Sequence, residues 1–320
     1  MKDKRKLGMN YPELLSMGEC MVELVTSEPI KDAKFYTRAY GGDTLNVAAM
    51  AARLGSSTGY LTNVGDDPFG DYLIESFIEQ KIDVSAITRV PQPNGLYLMA
   101  TLQSGEREVV YYRTGSAAST INPSELPKEH LRNTQVFHFS SISQALSSST
   151  RKAAKSAASM VAKEGGQVSY DLNYRAPLWV NSDPRVVVEE AITLANTVFI
   201  SWPEDQPVFP NMEISEVIDY LKHLGPSTIV IREGELGSLV LADNHSQRIP
   251  ANNVPVVDTI GAGDAYTGAF LHSLLNELDP FESGLVATTA AGLSVQSAGT
   301  VTSYPSLDEV RDQLPTSVDL

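Results

Sequence analysis

The chain predicts an α/β fold: a mainly parallel sheet with helices on its faces, and a smaller β-sheet lying over it. Three observations carry that expectation. Strand-like and helix-like stretches alternate along most of the length. A β-hairpin interrupts the alternation. Towards the C-terminal end, the string D-T-I-G-A-G-D-A-Y-T-G-A-F (258–270) sets a glycine-rich turn at the start of a helix.

The 320 residues, 42% of them hydrophobic, suffice for one large domain or a domain with an accessory piece. Net charge is −15, and the longest basic run is Lys4-Arg5-Lys6. That balance argues against a nucleic-acid partner, and an anionic small substrate would have to be held by a few local cations. Cys20 is the sole cysteine. It excludes a disulfide within the chain, fits a reducing cytoplasm, and reads as a buried structural thiol. The sequence shows neither a signal-peptide pattern nor an apolar run of membrane-spanning length, so a cytoplasmic location without membrane contact is expected.

In chain order, residues 1–11 read as a loose polar tail. Residues 14–17 begin a strand that Gly18 ends, and 21–25 alternate as a second extended piece. Gly41-Gly42-Asp43-Thr44-Leu45-Asn46 then leads into an alanine-rich helix over 47–54 closed by Gly55. Its low polarity predicts burial on most sides. Asp43 and Asn46 are poor choices for pure packing, which makes a small-molecule site at the mouth of this helix as reasonable as a tight turn. A strand over 59–65, a turn over 66–71 and a helix over 72–80 continue the rhythm.

Two extended runs, 95–102 and 108–113, flank a turn-like segment and predict the hairpin. Together with residues 20–40 they suggest a separate small sheet, a lid over about 20–40 and 92–115. Tyr97, Tyr111, Tyr112 and Arg113 read either as ordinary strand residues or, on a lid, as groups facing a substrate. Strands follow over 135–140, 167–172, 197–201 and 227–232, with a helix over 151–164 and a short meander over 238–250. His138 alternates with Phe137 and Phe139 and reads as a core histidine. Polar residues at the carboxyl end of a parallel strand mark the place where such sheets bind ligands. Arg175, in Asp171-Leu172-Asn173-Tyr174-Arg175, is there either a surface cation or a clamp for a carboxylate. An extended segment, 254–257, precedes the glycine turn, and a final alanine-rich helix spans 285–298.

Gly261 and Gly263 permit backbone angles that other residues avoid. A turn of this kind at a helix start aims main-chain amides, and about half a positive charge, at one spot. That is an anion site, with phosphate its commonest occupant. Asp264 is either an ordinary first-turn acid or a base that takes the proton of a hydroxyl attacking phosphorus. Several motifs are absent: G-x-x-x-x-G-K-[ST], G-x-G-x-x-G at this turn (position 266 is Tyr), H-E-x-x-H, clustered Cys/His ligands and G-x-S-x-G.

The strings G-G-D-T-L-N-V-A-A-M-A-A-R-L-G (41–55) and D-T-I-G-A-G-D-A-Y-T-G-A-F (258–270), in that order, resemble the two signatures of the ribokinase-like (PfkB) sugar kinases. Further pieces, G-E-C-M-V-E-L (18–24), G-L-Y-L (95–98), Y-Y-R-T-G-S-A (111–117) and D-L-N-Y-R-A-P-L-W (171–179), are most similar to the 2-keto-3-deoxygluconate kinases of that family. The resemblance implies a doubly wound α/β domain over 12–304 with a β lid, flanked by terminal segments 1–11 and 305–320. It implies ATP-dependent phosphorylation of a terminal sugar hydroxyl with Mg²⁺.

Carried over by position, Asp264 matches the general base, and Gly261, Ala262 and Gly263 match the anion hole. Gly42, Asn46, Tyr97, Tyr111, Arg113 and Arg175 match the sugar site, the arginines suiting a sugar-acid carboxylate. Ser201, Arg232, Gly234 and Gly237 match nucleotide contacts. Glu204 fits the last place of an N-x-x-E that acts on Mg²⁺ and phosphate. Ser201 replaces the Asn of that motif, and Thr288 stands where many relatives carry an Asn near the adenine. A neutral-sugar kinase and a non-catalytic sugar or nucleotide sensor are the competing expectations. An exposed lid edge would allow a homo-oligomer.

Overall fold

The computed structural model describes residues 11–102, 106–180, 182–316, 318 and 320. Its strands, in chain order, are β1 (Leu14–Met17), β2 (Met21–Thr26), β3 (Thr37–Gly41), β4 (Thr58–Gly65), β5 (Ile82–Asp83), β6 (Ile87–Val90), β7 (Gly95–Thr101), β8 (Arg107–Tyr112), β9 (Val136–Ser140), β10 (Gln167–Asp171), β11 (Thr197–Ser201), β12 (Thr228–Arg232), β13 (Ser238–Ala242) and β14 (His245–Ile249). The helices are α1 (Asp43–Arg53), α2 (Pro68–Glu79), α3 (Lys128–Asn133), α4 (Ser141–Ala145), α5 (Ser148–Lys163), α6 (Pro184–Ile192), α7 (Ile214–Leu224), α8 (Ala262–Leu275), α9 (Pro280–Ser294) and α10 (Leu307–Arg311).

The large sheet runs β14-β13-β12-β11-β10-β9-β1-β4-β5, with β6 beside β4. It is parallel except for the β12–β13–β14 meander. Strand β1 pairs in parallel with β4 on one side and β9 on the other, so the winding reverses there. This is the doubly wound arrangement, and such a reversal opens a crevice at the carboxyl ends of the strands. The period of two along β1 shows why helices cover both faces. Leu14 packs into one core with α1, α8 and α9 residues, and its neighbour Leu15 into the other with α5, α6 and α7 residues.

The small sheet runs β3-β2-β7-β8. It forms the lid, and β8 is one of its edges. Val109, Val110, Tyr111 and Tyr112 on β8 are all exposed.

Some elements differ from the sequence expectation. Residues 254–257 form no strand; Val256 and Val257 are exposed, and the amide of Val257 donates to the Val295 carbonyl at 2.8 Å. The glycine turn is therefore entered from irregular chain. Helix α9 begins at Pro280, five residues before its apolar run suggests, because Asp279 caps it: the carboxylate accepts from the amides of Phe281 at 2.7 Å and Glu282 at 2.9 Å. It also ends at Ser294, short of 298. Helix α2 likewise starts at Pro68, behind an Asp67 cap. Strands β5 and β6 and helices α3, α4, α6, α7 and α10 go beyond what the sequence reading anticipates. Apart from α7 they are short or half-exposed, so their apolar periodicity is weak; α7 does carry the helical spacing, in Ile214, Val217, Ile218, Leu221 and Leu224. No helix among the described residues is long and apolar enough to cross a membrane.

Candidate active site

The glycine turn is shaped as an anion cradle. Gly261, the residue before α8, sits at φ +74°, and a Cβ there would lie 2.3 Å from Thr300 Cγ2. The Tyr304 hydroxyl donates to its carbonyl at 3.1 Å and holds the turn from behind. The first-turn amides are not equivalent. That of Ala262 donates to the Thr259 carbonyl at 3.2 Å, whereas those of Gly263 and Asp264 have no main-chain partner among the described residues. Of the first-turn amides, those of Gly263 and Asp264 are therefore the ones left free of a main-chain acceptor among the described residues.

Asp264 is held by α1. The Asn46 side-chain amide donates to its Oδ2 at 2.8 Å. Burial first, then the nearby charges of Asp43 and Asp171, push the Asp264 carboxyl up to about 8, against the pull of Asn46 and Arg232. A carboxyl so placed accepts protons readily near neutral pH, as a general base must. Helix α1 comes this close because Gly42 has no side chain: a Cβ on it would lie 2.1 Å from the Glu19 carbonyl oxygen.

Arg232 lies beneath the turn. It makes a bidentate pair with Asp171, at 2.8 Å to Oδ2 and 2.7 Å to Oδ1, and also donates to the Gly263 carbonyl and the Thr267 hydroxyl, each at 2.9 Å. Its guanidinium is buried and both terminal nitrogens are spent within the protein. That corrects the expectation of a direct nucleotide contact. Arg232 braces the anion turn instead.

The lid supplies the opposite wall. Tyr97 and Tyr111 pair across β7 and β8 with ring centroids 5.5 Å apart, and the Tyr97 hydroxyl lies close to Gly41. Arg113 follows β8 and stacks over the Tyr111 ring at 5.4 Å. It is also ion-paired with Glu19, its Nε standing 3.2 Å from Oε2. Burial and then the charge of Arg175 bring the Arg113 guanidinium down to about 10. A partner acid for Arg113 was not expected; G-E-C-M-V-E-L carries it, but an acid in a strand start gives no sign of its partner. Arg175 is exposed, bonds only to the Tyr174 carbonyl at 3.0 Å, and acts electrostatically on Asp43, Tyr111 and Arg113. It has no carboxylate partner within salt-bridge distance among the described residues.

On the other side of the turn, Ser201 ends β11, and its amide donates to buried Asp205 at 2.7 Å. Gly234 and Gly237 bound the turn after β12, where Leu236 is exposed. Thr288 is buried on α9 beside Tyr266. Glu204 is exposed and has no hydrogen bond or ion pair among the described residues. No group of three or more His, Cys, Asp or Glu is placed to hold a metal among the described residues. His138 is buried away from this cleft chemistry, with Nδ1 3.0 Å from Ser169 Oγ, and burial lowers it to about 4. Cys20 is buried as well, its thiol pushed up to about 12.

Known proteins are similar to this chain in sequence and fold. The chloroplastic probable fructokinase-6 of Arabidopsis thaliana is 30% identical over 96% of this chain and 83% of its own. The 2-dehydro-3-deoxygluconokinase of Bacillus subtilis is 25% identical over 93% of this chain and 94% of its own. The crystal structure of aminoimidazole riboside kinase from Salmonella enterica, complexed with aminoimidazole riboside and an ATP analog, superposes with a TM-score of 0.81 at 26% identity, covering 93% of this chain and 98% of that one. The profile of the pfkB family of carbohydrate kinases matches residues 12–307. With that match spanning the cleft, both glycine motifs and the lid, the chain belongs to the pfkB carbohydrate kinase family.

Proposed function

We propose that the protein phosphorylates a sugar acid, 2-keto-3-deoxygluconate being the leading candidate, at a terminal hydroxyl to give the 6-phosphate. The observation that carries the phosphotransfer reading is the raised, Asn46-held carboxylate of Asp264 in the first turn of α8. ATP, as Mg·ATP, supplies the phosphoryl group. The unpartnered amides of Gly263 and Asp264 fit its transferring oxygens, and Ser201, Gly234, Gly237 and Thr288 border the remainder of the nucleotide. Glu204, exposed near this side, would act on the Mg²⁺ indirectly, through its waters.

Asp264 takes the proton of the attacking hydroxyl, while the two amides receive the negative charge that builds on the phosphoryl oxygens. Asn46 fixes the Oδ2 oxygen and leaves Oδ1 for the acceptor. Gly42 seats the start of α1 against the Glu19 carbonyl, and Tyr97 and Tyr111 close over the acceptor from the lid.

Arg175 carries the acid reading. It is a cation at the cleft without a carboxylate of its own, next to an Arg113 whose charge Glu19 already balances. A substrate carboxylate would complete it. The same Glu19–Arg113 pair favours a second reading, a neutral hexose or pentose, because it removes one of the two charges an acid would use. Side-by-side assays of ketodeoxygluconate, fructose and ribose with ATP separate the two. Preference for the keto acid by tenfold or more in kcat/KM is expected. Preference for fructose or ribose would replace the acid reading, and sugar binding without ADP release would replace catalysis by sensing.

A further inference from the structure

Arg53 is the residue of the first glycine motif that the chemistry above leaves unused, and the only charged one between Thr44 and Gly55. Asn46, Met50 and Arg53 are spaced four and three apart, on one face of α1. Asn46 holds Asp264. Met50 lies against Gly268 of α8, where a Cβ would come within 2.7 Å of its own. Arg53 reaches the chain that follows α9: its Nη1 donates to the Tyr304 carbonyl at 2.9 Å, and its Nη2 to Gln80 Oε1 at 3.1 Å. A cation serving only the helix dipole would turn to the carbonyls of its own last turn, whereas Arg53 spends two nitrogens on residues 251 and 27 positions away. Tyr304 is buried, and its hydroxyl is the one that donates to the Gly261 carbonyl. The same carbonyl accepts the first hydrogen bond of α8, from the Ala265 amide at 2.8 Å. Its direction fixes the plane of the Gly261–Ala262 peptide, and with it the aim of the Gly263 and Asp264 amides.

We propose that Arg53 is a positioning residue for phosphoryl transfer: through Tyr304 it sets the peptide at Gly261, and so the direction from which the Gly263 and Asp264 amides meet the transferring oxygens. The proposal rests on the phosphotransfer reading but not on the identity of the sugar. One face of α1 then governs both halves of the reaction, the base through Asn46 and the anion turn through Arg53. The action is indirect, because Arg53 bonds to residues behind the turn and not to the turn itself. Its loss leaves the amides in place and spoils their aim, which matters most where charge builds on the phosphoryl group.

The test compares wild type with Arg53→Met, Arg53→Lys, Tyr304→Phe and the Arg53→Met/Tyr304→Phe double variant, using ATP and the best acceptor of the panel. Arg53→Met and Tyr304→Phe should each lower kcat roughly threefold to thirtyfold, short of the roughly 10²–10³ that follows loss of an oxyanion donor. Both KM values should stay within about twofold, because the amides act where charge builds and not in the ground state. Arg53→Lys keeps a donor for the Tyr304 carbonyl and should recover most of the loss. The double variant should fall no more than about twofold below the weaker single variant, since both changes act at one peptide. Hydrogen exchange over residues 259–265 should quicken in Arg53→Met and Tyr304→Phe, and not in Arg53→Lys. Unchanged kcat with only a lowered Tm would make Arg53 a structural cation and overturn the proposal, as would losses that multiply in the double variant. If Arg53→Met does not fold, Tyr304→Phe decides alone, because unchanged kcat without that hydroxyl removes the route by which Arg53 acts. Should no sugar release ADP from wild type, it is the phosphotransfer reading that fails. The exchange pattern then reads the positioning separately, and equal exchange in wild type and both variants overturns it.

Discussion

The floor of the cleft and its roof answer their polar groups differently. On the floor, Asp171 and Arg232 close on each other bidentately, and Asp205 receives the amides of Ser201 and Tyr174, each at 2.7 Å. The roof and rim are open. Among the described residues Arg175 lacks a carboxylate partner, Tyr111 and Tyr112 are exposed, and the lid meets the glycine-motif segment through one ion pair, Arg107 with Asp258 at 2.8 Å. The difference teaches how work is divided. Groups that must stand still while charge moves are paired inside the protein, and those that choose a ligand wait for it. Asp264 is held more lightly than either, by the single side-chain amide of Asn46, where Asp171 has a guanidinium and Asp205 two main-chain amides.

The comparison breaks first at Asp264. Asp264→Asn should keep sugar and ATP binding within a few-fold and lower kcat by roughly 10²–10⁴, as loss of a general base does. Steady-state ADP release measures it, and near wild-type turnover would remove the base assignment. The same variant should be the more stable protein at alkaline pH. Folding raises the Asp264 carboxyl above its unfolded value, so wild type loses stability as pH climbs from about 4 towards 8. Melting curves at pH 5 and 8.5 should show the variant gaining on wild type at the higher pH.

Next comes the closed pair. Arg232→Met leaves Asp171 buried without its partner and should cost about 3–5 kcal/mol in denaturant unfolding. A loss below about 1 kcal/mol would mean the floor is not locked in this way. On the rim, Arg175→Met should leave the unfolding midpoint unmoved while raising the KM for a sugar acid roughly tenfold to hundredfold. A larger effect on stability than on KM would assign it to the floor's class. The smallest change belongs to Arg107→Ala. Its pair with Asp258 is partly solvated, and such pairs contribute up to about 1 kcal/mol. A change of no more than about fivefold in sugar KM, and none in Tm, is the expected reading.

The same division decides what could be read beforehand. Only the local part of the floor was legible: the D-T-I-G-A-G-D string brings the turn, the helix start and Asp264 together within a few residues. The β-α rhythm also conveys the mainly parallel sheet with helices on its faces, the hairpin conveys the lid, and the doubly wound order came with the family resemblance. Pairings between distant residues were not legible. Glu19 meets Arg113, Asp171 meets Arg232, and Ser140 meets Asp43 only after the strands are laid side by side, and nothing in the neighbouring residues of any of them names its partner. Arg232 was misread for that reason, as a cation available to nucleotide when its charge is spent below the turn. The strand expected over 254–257 failed differently. Its apolar residues suit a strand, but Val256 and Val257 stay exposed and no neighbouring strand is there to pair them.

The central claim is that the Asp264 carboxyl, lifted by burial and by Asp43, is the base for the attacking hydroxyl. The pH dependence of kcat/KM for sugar-dependent ADP release tests it most directly, because that ratio reports the free enzyme. The account predicts a unit-slope rise through the acid range that levels near pH 8 in wild type and is lost in Asp264→Asn. A profile flat from pH 5.5 to 9, or the same rise retained in the variant, would contradict it.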